Sequence, residues 1–270
     1  MAHLGGGSIN VVERVETAGG TAIRKSHRHA PPGFFRAEAD GLRALAASGT
    51  PLVVPAVIDC RDNGDGFLVI EDLGDGVRAG DFDARLGVGL AALHRATAPR
   101  FGFDRDNFCG LTSQPNAWTD RWIDFYRNRR LGHQQALAVE RGLLSSAELA
   151  RLDRLRARLG DWIDEPATGP SLIHGDLWSG NVHVTRDGAP ALIDPAVSYS
   201  HREAELGMMT LFGGFSRRVF DAYDDAWPLE PGWRERLPIY ELYHLLNHLN
   251  LFGGGYRGRA MAVVERFVRP

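Results

Sequence analysis

The sequence predicts a bilobal α+β protein: a small antiparallel β-sheet lobe carrying one helix, followed by a larger, mostly helical lobe. Three observations predict it. Residues 4–71 hold four strand-like runs around a single helical period. Leu73-Gly74-Asp75-Gly76 then breaks the pattern, as a hinge would. Beyond it, apolar residues recur mainly at helical spacing. The lobes are therefore expected at residues 1–73 and 74–270.

Ile9 to Val15 alternates as a strand does, Gly19-Gly20 signals a turn, and Thr21 to Lys25 is the return strand. Phe35, Ala39, Leu42, Leu45 and Ala46 predict a helix over Phe34 to Ala47. Pro51 to Asp59 and Phe67 to Glu71 read as two more strands, joined by a turn at Asn63-Gly64-Asp65-Gly66. In the second lobe, helices are expected over Asp83 to Thr97, Trp118 to Leu144 and Ser146 to Trp162, the last capped by Ser145 or Ser146. Ser171 to His174 and Val182 to Val184 bracket a loop. Ala191-Leu192-Ile193 is a short strand ending at Asp194-Pro195, and helices with Gly- and Pro-rich joints complete the chain.

Composition narrows the function. The 270 residues are 44% hydrophobic, enough for a sizeable core. A net charge of −3 gives no basic excess, so nucleic acid is not an expected partner. Cys60 and Cys109 make no CxxC pair and no disulfide framework, which fits a reducing compartment. No apolar run reaches about 18 residues, and the N-terminus lacks the pattern of a signal peptide. A soluble, cytoplasmic monomer without a membrane partner is expected.

The sharpest chemical signal is His174-Gly175-Asp176-Leu177-Trp178-Ser179-Gly180-Asn181. An Asp followed five residues later by an Asn, in a loop between short apolar segments, is the catalytic-loop arrangement of kinases. Asp176 can orient an acceptor hydroxyl and take its proton, and Asn181 can hold a metal ion. Asp194, at a strand end, is suited to bridging Mg²⁺ to the phosphates of ATP. Upstream, Lys25 can neutralise those phosphates and Glu38 can hold Lys25. Gly5, Gly6 and Gly7, with Ser8, offer backbone N–H groups to phosphate oxygens. Glu71, Asp72 and Leu73 stand where a linker between lobes could read the adenine edge. Taken singly, each element has an ordinary structural reading; their order along the chain points to a protein-kinase-like fold. His174 is read as a buttress of the loop. His244 and His248 lie four apart, but no HExxH glutamate follows, so packing or cleft roles are preferred to zinc. Trp118, Trp122 and Phe125 read as core, and Arg127, Arg129 and Arg130 as a solvated face.

The stretch Leu172 to Val182 resembles the signature of the fructosamine kinase (ketosamine-3-kinase) family, above all in Leu177-Trp178-Ser179-Gly180. The resemblance continues in Phe34 to Leu42, Gln114 to Trp118, Asp194 to Ala196, His201 to Leu206, Leu211 to Phe215 and Tyr243 to Gly253. It implies a bilobal fold related to aminoglycoside and choline kinases, and ATP- and Mg²⁺-dependent phosphorylation of the sugar O3 of small-molecule ketosamines or glycated lysines. The 3-phosphate destabilises such adducts, which is deglycation. By position it implies Asp176 as base, Asn181 and Asp194 as metal ligands, and Lys25 with Glu38 at the phosphates. Trp178, His201 and Glu203 would line the sugar side of the cleft. Ser8 stands where some members carry a redox-sensitive Cys, and Glu205 where the family has an Asp that braces the catalytic loop. Competing readings are a kinase of the same fold acting on aminoglycosides or choline, for which Glu203, Asp221, Asp224 and Asp225 leave room, and a nucleotide-binding pseudokinase.

Overall fold

A computed structural model describes residues 2–3, 10–62 and 66–268. Gly5, Gly6, Gly7 and Ser8, and the first three residues of the turn expected at Asn63 to Gly66, lie outside the described residues.

The first lobe is an antiparallel sheet of five strands in the order β1-β2-β3-β5-β4: β1 (Ala2–His3), β2 (Val11–Thr17), β3 (Gly20–Ser26), β4 (Val57–Arg61) and β5 (Phe67–Glu71). Thr17 closes the β2–β3 turn: its hydroxyl accepts from the Gly19 N–H and donates to the Gly20 carbonyl. Helix α1 (Phe34–Ala47) packs on the sheet, with Phe35, Ala39 and Leu42 meeting Leu68 and Ile70. The expected strand at Pro51 to Asp59 starts later, at Val57. Pro51 and Pro55 cannot donate to a ladder. Val53 instead donates to the Pro190 carbonyl and accepts from the Leu192 N–H, which ties this segment to the second lobe.

The second lobe contains α2 (Phe82–His94) and the hairpin β6 (Asn107–Cys109) and β7 (Thr112–Gln114). The next helix, α3, runs through Trp122–Phe125, a π-helical stretch Tyr126–Gly132, and His133–Glu140. It is shorter than the expected Trp118 to Leu144, because Thr119 pairs with Phe101 as a bridge and Gly142 takes a positive φ. Helix α4 (Ser146–Ala157) begins at a capping box of Ser145 and Glu148. Then follow β8 (Ser171–Ile173), β9 (Val182–Val184), β10 (Pro190–Leu192), β11 (Ser198–Ser200), α5 (Arg202–Leu211), α6 (Arg217–Ala226), α7 (Trp233–Phe252) and α8 (Arg257–Val268). β9 pairs with β10 and β8 with β11, both antiparallel. Trp122, Phe125 and Tyr126 sit with Tyr240, Leu245 and Leu249 in the larger core. Arg130 is buried, not solvated: it donates to the Pro115 carbonyl and to Asn116 Oδ1. Among the described residues no helix is long and apolar enough to cross a membrane.

The hinge is fastened to the β9–β10 hairpin. Arg186 N–H donates to the Leu73 carbonyl and His183 Nε2 to the Gly74 carbonyl. A Cβ on Gly76 would stand 2.2 Å from the Thr185 carbonyl oxygen, so only glycine lets the chain pass this close.

Candidate active site

The loop between β8 and β9 is held from behind. Gly175 has φ +83°, and a Cβ there would lie 2.1 Å from the Ala196 carbonyl oxygen. His174 is buried; its Nε2–H donates to the Ile193 carbonyl (2.8 Å) and its Nδ1 accepts from the Asp176 N–H (3.3 Å). Burial lowers its pKa, so the ring stays neutral and buttresses the loop. Glu205 on α5 accepts from the N–H groups of His174 and Gly175. The longer side chain thus performs the bracing that the resemblance ascribes to an aspartate.

Asp176 and Asn181 are joined across the loop. Asn181 Nδ2 donates to the Asp176 carbonyl (2.8 Å) and leans on its Oδ2 (3.4 Å). With the amide nitrogen so placed, Asn181 Oδ1 is the atom left for a cation. Burial, aided by the Glu205 charge, pushes the Asp176 carboxyl up to about 8. Such a value near neutrality suits a group that must accept a proton. Asp194 follows β10 with φ +57°, the only positive φ among the described non-glycine residues, directly before Pro195. Backbone in this region is sparsely populated and collects at functional sites.

The first lobe delivers its charge to the same place. Lys25, 4% exposed on β3, bonds Glu38 on α1 at 2.6 Å and also contacts the Asp194 carboxylate. A buried ammonium needs such partners. Alternation along β3 aims Lys25 inward, and helical spacing turns Glu38 toward it.

These groups converge on one cavity of about 470 Å³, lined by Lys25, Glu38, Asp176, Trp178, Asn181 and Asp194. An indole fills the space over Gly180, where a Cβ would meet the Trp178 ring at 2.1 Å. The opposite wall escaped the sequence reading in part. Phe212 after α5, His248 and Phe252 on α7, and Tyr256 beyond it line the cavity with Trp178. The His248 ring lies 4.9 Å from Phe212, 5.4 Å from Phe252 and 5.0 Å from Tyr256. His248 and Phe252 share a helix face, but the helix ends at Phe252, so the spacing of Tyr256 carries no signal for this wall.

Two expected substrate residues do not reach the cavity. His201 caps α5 by accepting from the Glu203 N–H, and is buried under Trp122 and Tyr240. Glu203, 1% exposed, is held bidentately by Arg236. Burial, a cap and an ion pair occupy both side chains here, and neither lines the cavity. Glu71, Asp72 and Leu73 stand at the lobe junction but do not line this cavity. The Glu71 side chain accepts from the Ala56 N–H, Asp72 pairs with Arg14, and the Leu73 carbonyl accepts from Arg186.

The whole chain, residues 1–270, matches the sequence profile described as fructosamine kinase. A protein of Enterococcus faecium named a ketoamine kinase is 39% identical over 97% of this chain and 93% of its own. A chloroplastic protein-ribulosamine 3-kinase of Oryza sativa subsp. indica is 37% identical over 100% of this chain and 79% of its own. The crystal structure of a Thermobifida fusca protein described as a fructosamine-3-kinase superposes with a TM-score of 0.87 at 34% identity, covering 98% of this chain and 91% of that one. The aminoglycoside phosphotransferase APH(4)-Ia, in complex with ADP and hygromycin B, has the same fold at a TM-score of 0.64 and 17% identity, over 100% of this chain and 94% of that one.

Proposed function

The chain belongs to the fructosamine kinase family, and from that premise we propose that it transfers the γ-phosphoryl group of ATP to the O3 hydroxyl of a ketosamine sugar. The observation that carries this reading is the convergence of Lys25, Glu38, Asp176, Asn181 and Asp194 on one cavity. Lys25, held by Glu38, neutralises the phosphates. Asp176 accepts the proton of the acceptor hydroxyl as its oxygen bonds to the γ-phosphorus. The bond from phosphorus to the bridging oxygen breaks, and ADP leaves with the electron pair. Asn181 and Asp194 offer two hard oxygen donors, which suits Mg²⁺ rather than a softer cation. Mg²⁺, when bound, supplies charge neutralisation at the nucleotide phosphates. Trp178, Phe212, Phe252 and Tyr256 form an apolar wall on which a sugar face and an alkyl stem can rest.

The supply of carboxylates around the cavity disfavours polycationic acceptors. Among the described residues, the acidic groups lining the cavity are Glu38, Asp176 and Asp194, all engaged in phosphoryl transfer. Glu203 is neutralised by Arg236, Asp221 pairs with Arg217, and Asp224 accepts from the Leu229 N–H. The test is ATP consumption by the purified protein against ribuloselysine, fructoselysine, kanamycin and choline. Turnover on a ketosamine is the expected result; turnover confined to kanamycin or choline would overturn the substrate while keeping the catalytic groups.

A further inference from the structure

Beside the catalytic carboxylate lie two donors that phosphoryl transfer does not use, Cys109 and His244. One ligand atom each from Cys109, Asp176 and His244 falls within 4.8 Å of the others. They come from three separate places: the end of β6, the catalytic loop and the middle of α7. Cys109 is 2% exposed and His244 4%. His244 Nδ1 is buried without a hydrogen-bond partner, a costly condition for a polar atom. Burial, with His248 and Arg130 adding to it, pushes the imidazole down to about 3. The ring is therefore neutral, and its lone pair is available to a metal. Burial raises the Cys109 thiol, so the free group keeps its proton, but a coordinating cation displaces that proton outright.

Thiolate, imidazole and carboxylate together form a donor set for Zn²⁺ or Cd²⁺, not for Mg²⁺. We propose that Cys109, Asp176 and His244 form a three-ligand site for a thiophilic divalent cation, and that its occupancy stops phosphoryl transfer by engaging the Asp176 carboxylate. Metal bonds form to one sulfur, one nitrogen and one oxygen, and the thiol proton, with any carboxyl proton, passes to solvent. The fourth tetrahedral position is left to water, as in open zinc sites. Tetrahedral coordination places ligand atoms about 3.3–3.8 Å apart, so the set must close by about 1 Å, a side-chain movement. Asn247 Nδ2, now 3.3 Å from Cys109 Sγ, keeps the Cys109 carbonyl as its second acceptor. The Arg130 guanidinium opposes the cation and limits affinity.

The inhibitory half of this inference rests on the phosphoryl-transfer reading; the binding half does not. The test is titration of the full chain with Cd²⁺, followed by thiolate-to-metal absorption in the ultraviolet. One equivalent should bind in the wild type and in Cys60→Ser. Binding should vanish in Cys109→Ser and weaken at least about tenfold in His244→Gln. Thermal unfolding without metal verifies that each variant is folded, and His244→Asn replaces a misfolded His244→Gln. Absence of the band in the wild type, its survival in Cys109→Ser, or unchanged affinity in the folded His244 variant would overturn the site. In the same samples Zn²⁺ should suppress ketosamine-dependent ATP consumption in step with occupancy. Binding without suppression would overturn the inhibitory half, whereas lack of any ketosamine turnover would strike the functional reading and leave the site standing.

Discussion

The two walls of the cavity are built on opposite principles. On the side proposed for the phosphates, polar groups are paired before any ligand arrives: Lys25 with the carboxylates of Glu38 and Asp194, and the Asn181 amide with the Asp176 carbonyl. On the acceptor side stand rings: Trp178, Phe212, His248, Phe252 and Tyr256, with Phe252 55% exposed. Phosphoryl transfer demands fixed electrostatics, because charge must be met where it develops. Recognition of a sugar carrying an alkyl amine demands area and shape more than charge. A change on the first wall should therefore strike kcat or nucleotide use, and a change on the second should strike the acceptor alone.

The largest expected effect separates the walls at their seam. Asp176→Asn should lower kcat by about 10³-fold or more while nucleotide affinity, measured by calorimetry, changes less than about twofold. Nearly normal turnover in this variant would remove Asp176 from the mechanism. Next come Lys25→Met and Asp194→Asn, which should cost about 10²–10³-fold and, unlike Asp176→Asn, raise the KM for Mg·ATP. Initial-rate series in ATP at saturating acceptor distinguish the two patterns.

The brace behind the loop gives a smaller, thermodynamic effect. Glu205→Ala leaves the buried N–H groups of His174 and Gly175 without their acceptor, and should cost about 2–4 kcal/mol in urea unfolding. Asp176 itself should act in the opposite sense. Its carboxyl stands at about 8 in the folded protein against an ordinary 3.8. Folding therefore favours the protonated form. That stabilisation is complete below about pH 4 and is lost as pH rises through 8. Asp176→Asn lacks this dependence, so at pH 8 it should be more stable than the wild type by about 1 kcal/mol or more, with little difference at pH 4. Urea unfolding of the metal-free proteins at both pH values reads the difference directly. The smallest effect lies on the aromatic wall: Phe252→Ala should raise the ketosamine KM about 3–10-fold and leave the KM for ATP unchanged.

The same contrast decides what was legible in the sequence. Phosphate-side groups sit in short local motifs, where spacing along the chain is spacing in space. Five residues from Asp176 to Asn181, a strand-end Asp194, and Lys25 before a helix carrying Glu38 could all be read without the fold. The acceptor wall is assembled from α5, α7 and the segment after it, so only the tertiary arrangement shows which of many rings face the cavity. His201 and Glu203 were expected on the sugar side of the cleft through the family resemblance alone. In three dimensions a helix cap and the Arg236 pair consume them. The Pro51 to Asp59 segment misled for a related reason. It is extended, as its composition suggests, but Val53 spends its hydrogen bonds on β10 in the other lobe. Arg130 looked solvated because helical periodicity cannot foresee a loop carbonyl and Asn116 waiting as partners.

The central claim is that this cavity phosphorylates one particular oxygen of a ketosamine. The most direct measurement is phosphorus–proton correlation NMR of the product formed from ribuloselysine, ATP and Mg²⁺, with Asp176→Asn in parallel. A phosphate on O3, formed by the wild type and absent from the variant, is the predicted result. A phosphate on another hydroxyl, or the same product formed at equal rate by Asp176→Asn, would contradict it.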